Sequence, residues 1–367
     1  MKNNTSFNHI YIESHLMEHP KTKLILERLQ HTGEISQFDN IHTLIKSSHQ
    51  VYHPSDRSKN LVLSSIRGEI LRKCPGTHGH ICCNYHVINQ YIGCPVNCAY
   101  CILQGYLNQP FTIINVDIEN ILETLSTVSV KNQNEILRIG TGELGDSLVY
   151  DHLTDFSLDF IQFFKNRREF MFEFKTKTNN IDNLLKEPNP GNIVIGFSMN
   201  PESLTVKLES DAATIDERIN AASLLVEKGY KISLHFDPIL NIPNFRDEYN
   251  SLIQKIFSRI SHNDIAWISM GTFRYTNDLK SMIEYNYPES GLLSDDFVLT
   301  ADGKYRYFRP VRTALYKAVK ESLTAINPDM PMYLCMESPE VWRSVLGTTP
   351  GCSAKMDFLF KKRGIIK

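Results

Sequence analysis

From residue 87 onward the chain alternates short apolar runs with amphipathic segments, and no other feature limits its fold so tightly. Candidate strands read at 86–91, 112–116, 136–139, 170–175, 193–198, 231–236 and 267–273. Helices fit between them at 118–129, 153–166, 180–185, 214–228 and 247–261. In the segment 216–228, Ile219, Ala222, Leu225 and Val226 fall on one helical face. Strands separated by helices are joined by crossovers, which run the strands parallel and lay the helices over the sheet. The chain is therefore predicted as α/β. A closed or partly closed barrel and a doubly wound sheet both satisfy the pattern. No G-x-G-x-x-G follows the first strand, which disfavours a dinucleotide-binding fold.

The flanking regions read differently. Residues 1–85 form an accessory segment, with a helix expected at 22–30; residues 86–280 carry the alternation; residues 281–367 are an extension. That extension has turn-rich stretches, a helix at 313–326, a strand-like MYLCM and a basic tail, KKRGIIK. Hydrophobic residues make up 42% of the 367, ample for a core, which excludes wholesale disorder. Basic residues number 39 and acidic ones 41, so no global basic footprint argues for nucleic acid, although a local groove fits a neutral total. No apolar run reaches the roughly 20 residues of a membrane span, and the N-terminus lacks a signal-peptide core. The expectation is a soluble cytoplasmic protein without a membrane partner.

Six of the eight cysteines, Cys74, Cys82, Cys83, Cys94, Cys98 and Cys101, crowd into one stretch, which in a reducing compartment points to metal or redox chemistry. Cys94, Cys98 and Cys101 are spaced C-x3-C-x2-C. Three close thiolates suit three corners of a [4Fe–4S] cluster and leave the fourth iron open. Zinc ribbons want two C-x2-C pairs instead. A zinc site and three packed thiols are the remaining readings. Farther on, Gly140-Thr141-Gly142-Glu143 follows a strand-like ILRI; its glycines permit close backbone approach, and its carboxylate can accept hydrogen bonds from an ammonium.

With Tyr100 before the third cysteine, the loop resembles the radical S-adenosylmethionine (SAM) superfamily. There, an open iron chelates SAM, and one electron releases a 5′-deoxyadenosyl radical. The resemblance implies that Tyr100, Gly140, Gly142 and Glu143 serve SAM. A closer resemblance, to the spore photoproduct lyase family, is carried by GCPVNCAYCILQGYLNQP, GDSLVYDHLT, FKTKTNNIDNLL, IGFSMNPES and IDERINAASLLVEKGYKI. That family repairs a thymine–thymine adduct in DNA, with a thiol returning a hydrogen to the product radical. By the same resemblance, Lys177 and Ser198 match positions that bind the methionine and ribose groups of SAM.

Two departures stand out. Counting back from Asp146 and Asp151, the family's donor cysteine aligns near Glu143. A carboxylic O–H is too strong a bond to quench an allylic radical, so Cys335 becomes the candidate donor. Upstream, Cys74, Cys82 and Cys83 with His78, His80 and His86 could hold a second metal or iron–sulfur site, or form a structural loop. A similar CPGT…CCxY stretch occurs in one branch of the family. Lys304-Tyr305-Arg306-Tyr307-Phe308-Arg309 and Arg312 interleave charge with rings, as phosphate- and base-binding strands do; the resemblance makes Tyr305 and Tyr307 candidate substrate contacts. His235 and Asp237 should close a strand at the active face.

The combined expectation is a partial (β/α)6 TIM-type barrel of the radical SAM type with N- and C-terminal extensions. The expected activity is SAM-dependent radical chemistry on a pyrimidine lesion in DNA, with a flavodoxin or ferredoxin as electron donor. Alternatives are a peptide or modified nucleoside as substrate, and a noncatalytic iron–sulfur or metal-binding module.

Overall fold

Six strands, His86–Ile88, Leu137–Thr141, Phe170–Thr176, Ile193–Ser198, Lys231–Ile239 and Ile265–Thr272, lie side by side in chain order, each parallel to its neighbour. The computed structural model describes residues 6–30, 33–48, 54–76, 79–128, 136–188, 191–352 and 356. Met332–Leu334 adds a parallel strand at one edge, and Arg72–Lys73 an antiparallel one at the other. Neighbouring parallel strands twist with one hand, so an in-order ladder curls; left unjoined at its two edges, it is a partial barrel. Every residue of Ile193–Ser198 and of Ile265–Thr272 is buried, as strands covered on both faces require.

The covering helices follow the predicted periodicity. Ile215–Glu227 begins with a capping box: the Thr214 hydroxyl accepts the Glu217 N–H (3.2 Å), and the Glu217 carboxylate accepts that of Thr214 (2.7 Å). Such a cap stabilises a helix by about 1 kcal/mol. The helix expected at 153–166 breaks at Asp155, whose φ of 55° divides it into Asp151–Thr154 and Phe156–Phe164. There the Asp155 carboxylate accepts both Arg28 guanidinium N–H groups, at 2.8 and 2.7 Å.

One expected barrel strand belongs elsewhere. Thr112–Asn115 pairs parallel with Asn60–Ser64 and antiparallel with Tyr91–Ile92, in a second sheet that also holds His9–Glu13 and Glu34–Phe38. A buried apolar run reads alike in either sheet, so periodicity could not assign it. The predicted strand 86–91 is likewise split at Asn89-Gln90, where Asn115 binds both backbone carbonyls at 2.8 Å, and its end joins the second sheet. The N-terminal segment thus supplies three of the five strands in a sheet that also takes in the chain on either side of the cysteine loop. Beyond the barrel, Arg274–Tyr275, Tyr305–Tyr307 and Phe297–Leu299 form a small antiparallel sheet, followed by the helix Arg309–Ile326. The basic tail at 361–367 and His78 lie outside the described residues.

Candidate active site

The cysteine loop leaves Tyr91–Ile92 and runs into the short helix Leu103–Tyr106. Backbone hydrogen bonds moor it: Gly93 N–H donates to Leu144 (2.8 Å) and Ala99 N–H to Leu208 (2.8 Å). Inside it, the Gln104 amide donates to the Cys98 carbonyl at 2.6 Å. Cys94, Cys98 and Cys101 line a cavity of about 300 Å³, together with Tyr100, Gly142, Glu143, Lys177 and Ser198. Sequence positions more than 100 residues apart therefore meet at the C-terminal ends of the barrel strands, where active sites of such barrels lie.

The thiols fit a polynuclear group better than a single ion. Two sulfurs on one zinc stand at most about 4.6 Å apart, twice the Zn–S bond. Among the described residues, the donor atoms of Cys94, Cys98 and Cys101 do not all fall within 4.8 Å of one another. Burial pushes all three thiols up; at Cys94 the Asp146 carboxylate adds to the rise, whereas Lys177 opposes it at Cys98 and Cys101. Soft thiolates in so desolvated a place call for the positive charge of a metal group.

Beneath the loop lies a charged network. The Tyr100 hydroxyl donates to the Glu209 carboxylate, which also accepts from Asn200 (3.0 Å) and from the Arg218 guanidinium (2.5 Å). Glu209 and Arg218 side chains are fully buried, and the Lys177 ammonium stands 3.7 Å from Glu209 and 5.6 Å from the Tyr100 ring centroid. Arg218 also donates to the Ser198 carbonyl at 2.9 Å, joining the cysteine loop to the strand that carries Ser198. Burial alone would raise the Glu209 pKa, but Lys177 and Arg218 outweigh it and hold the group down at about 2. These two residues read in sequence as ordinary surface charges. The available signal was Arg218 itself, set among Ile215, Ile219, Ala222 and Leu225 on the apolar helix face.

The glycine-rich turn divides in two. Gly142 and Glu143 line the cavity, Glu143 accepting a hydrogen bond from Asn89 at 3.0 Å. Gly140 instead faces the barrel interior: a Cβ there would come within 1.5 Å of the Tyr85 hydroxyl and 2.8 Å of the Glu173 carbonyl. That space lets Tyr85 donate to the Glu173 carboxylate at 2.8 Å. Gly140→Ala is accordingly expected to lower stability by about 3 kcal/mol through overpacking. Denaturant unfolding checks this; an unchanged midpoint would refute the packing role.

The other expected residues are distributed as follows. Asp237 lines the cavity, 3.4 Å from Arg274; His235 turns inward to Glu173 at 2.8 Å. Cys335, Tyr305 and Tyr307 are not among the cavity's lining residues, although Met336 and Lys304 are. Tyr305 stacks on Tyr275 with centroids 5.1 Å apart, and the buried Tyr307 stacks on Phe297 at 4.6 Å. Arg306 and Arg312 are buried and paired with Asp302 (2.7 Å) and Glu337 (3.0 Å), so neither presents its charge outward as a phosphate contact would. Asp146, missed by sequence reasoning, lines the cavity and accepts N–H bonds from Leu148 (3.0 Å) and Lys177 (2.7 Å).

An in-order parallel half-barrel whose C-terminal rim gathers three loop thiols, a lysine and a glycine–acid turn is the architecture of the radical SAM class. The family model described as spore photoproduct lyase matches residues 6–330, and the chain belongs to that family. It is 23% identical over 335 residues to the spore photoproduct lyase of Bacillus subtilis, covering 87% of this chain and 95% of the relative. With that of Clostridium acetobutylicum it shares 24% over 222 residues, 59% of this chain and 66% of the relative. A solved spore photoproduct lyase complexed with dinucleoside spore photoproduct superimposes with a TM-score of 0.77 at 22% identity, covering 90% of this chain and 98% of the other. A variant with bound AdoMet and dinucleoside spore photoproduct gives 0.75 at 21%, with the same coverage. These likenesses establish the fold.

Proposed function

We propose that the chain is a radical SAM lyase acting on a spore-photoproduct-like pyrimidine lesion in DNA. The observation that carries it is the convergence of Cys94, Cys98 and Cys101 with Glu143, Lys177 and Ser198 on one cavity, in a chain of this family. The three cysteines would hold a [4Fe–4S] cluster, which with SAM supplies a 5′-deoxyadenosyl radical that takes a hydrogen atom from the substrate.

The chain's own residues prepare that chemistry. Lys177 offers an ammonium to the coenzyme carboxylate, Ser198 a hydroxyl to sugar oxygens, and Glu143 a carboxylate to the coenzyme ammonium. Tyr100, held by Glu209 and covered by Lys177, keeps the third cysteine in place. Glu143 lies near the position of the family's donor thiol, and its O–H is too strong to return hydrogen to an allylic radical; it serves the coenzyme instead. A flavodoxin or ferredoxin would supply the electron. Among the described residues no helix is long and apolar enough to cross a membrane, and no cysteine is disulfide-bonded, as suits a reducing compartment such as the cytoplasm.

Anaerobically reconstituted enzyme given SAM, dithionite and dinucleoside spore photoproduct is expected to release the two thymine units, measured by chromatography. SAM cleavage without lesion repair would overturn the substrate assignment and favour a modified nucleoside or a peptide. A cluster that never cleaves SAM would leave only a metal-binding module.

A further inference from the structure

The remaining clustered cysteines meet a fourth. The Cys74 N–H donates to the Tyr85 carbonyl at 2.8 Å and so ties together the two ends of the upstream cysteine loop. Ile81 in that loop bridges antiparallel to Glu337, its N–H donating at 2.9 Å. Cys83 lies two residues beyond Ile81 and Cys335 two before Glu337, on the two segments that this bridge joins. Gly76, at a φ of +60°, would bring a Cβ within 2.8 Å of the Cys82 sulfur, so this thiol folds back over the turn that starts at Cys74. The electrostatics agree. Cys335 interacts electrostatically with Cys83 and Cys82, and Cys74 with the same two cysteines.

None of the four is disulfide-bonded, and among the described residues no three of them place their sulfurs within 4.8 Å of one another. One zinc ion would need that closeness. Four soft thiolates that do not converge on one point suit iron and sulfide better than a single ion.

We propose that Cys74, Cys82, Cys83 and Cys335 ligate a second iron–sulfur cluster, closed by four thiolates and separate from the triad. Having no open iron, it takes no SAM. It borders the cavity wall, since Met336 follows Cys335 and Glu143 and Lys304 interact electrostatically with Cys74 and Cys82. Cys335 is thereby a ligand and not a hydrogen donor.

The test uses the full chain with Cys94, Cys98 and Cys101 all changed to alanine, reconstituted anaerobically. It is expected to keep about half the wild-type iron and acid-labile sulfide, with its own Mössbauer and electron paramagnetic resonance signals. Cys82→Ala with Cys83→Ala and Cys335→Ala should lose the other half. An iron-free triad variant, zinc in the site, or a Cys83–Cys335 disulfide found by mass spectrometry would overturn the proposal. Should either variant fail to fold by circular dichroism, wild-type stoichiometry decides: iron for two clusters supports it, and iron for one overturns it. These readouts are independent of lesion repair.

Discussion

Cys98→Ala, reconstituted anaerobically with iron and sulfide, is expected to leave SAM uncleaved, with 5′-deoxyadenosine formation reduced at least a thousandfold. Cys98 is the most buried of the triad and stands between two moorings, the Ala99 bond to Leu208 and the Gln104 bond to its own carbonyl. Both bonds use backbone atoms, so removing the sulfur spares them. The loop should therefore hold its shape, with the melting temperature falling by only a few degrees, since losing a small buried group costs about 1 kcal/mol. Product formation is followed by chromatography. Undiminished deoxyadenosine in this variant would reject the triad as the cluster site.

Glu209→Gln is expected to be strongly destabilising. Glu209 and Arg218 are both fully buried, and removing one charge strands the other, at a typical cost of 3–5 kcal/mol. Linkage gives a similar size. The Glu209 carboxyl sits at about 2 in the fold, against its ordinary 4.5, a difference worth about 3 kcal/mol. Because the folded value is the lower one, this stabilisation is present in full above pH 4.5 and is lost as pH falls toward 2. Urea unfolding from pH 7 to pH 3 should thus show wild-type stability declining below 4.5, and the variant lacking that share of the decline. Identical pH profiles for the two proteins would contradict the role given to this pair. The variant should also lose SAM affinity, because Lys177 and Tyr100 both lean on Glu209.

How much of this was legible in the sequence depends on whether a feature is local. The strand at 193–198 has the predicted bounds, and the helix at 214–228 starts from the expected threonine, because periodicity and capping are local properties. The close spacing of Cys94, Cys98 and Cys101, which share one cavity, was legible for the same reason. The assignment of 112–115 to the second sheet was not, since pairing partners are chosen in three dimensions. Nor was the inward turn of Arg306 and Arg312: a run of alternating charge and rings reads alike whether its partners are phosphates or the carboxylates of Asp302 and Glu337. In the glycine-rich turn the residue types were informative, but only the fold shows that Gly140 makes room for a tyrosine while Gly142 faces the cavity.

The second sheet has a bearing on how the molecule can be cut down. Tyr91–Ile92 enters the cysteine loop and Thr112–Asn115 leaves it, and both ends are fastened to Asn60–Ser64 and the strands beside it. The N-terminal segment of the polypeptide is therefore the abutment from which the cysteine-bearing span hangs. Trimming the chain to its barrel would not yield a minimal enzyme, because the span would keep its sulfurs and lose the piers that set them apart.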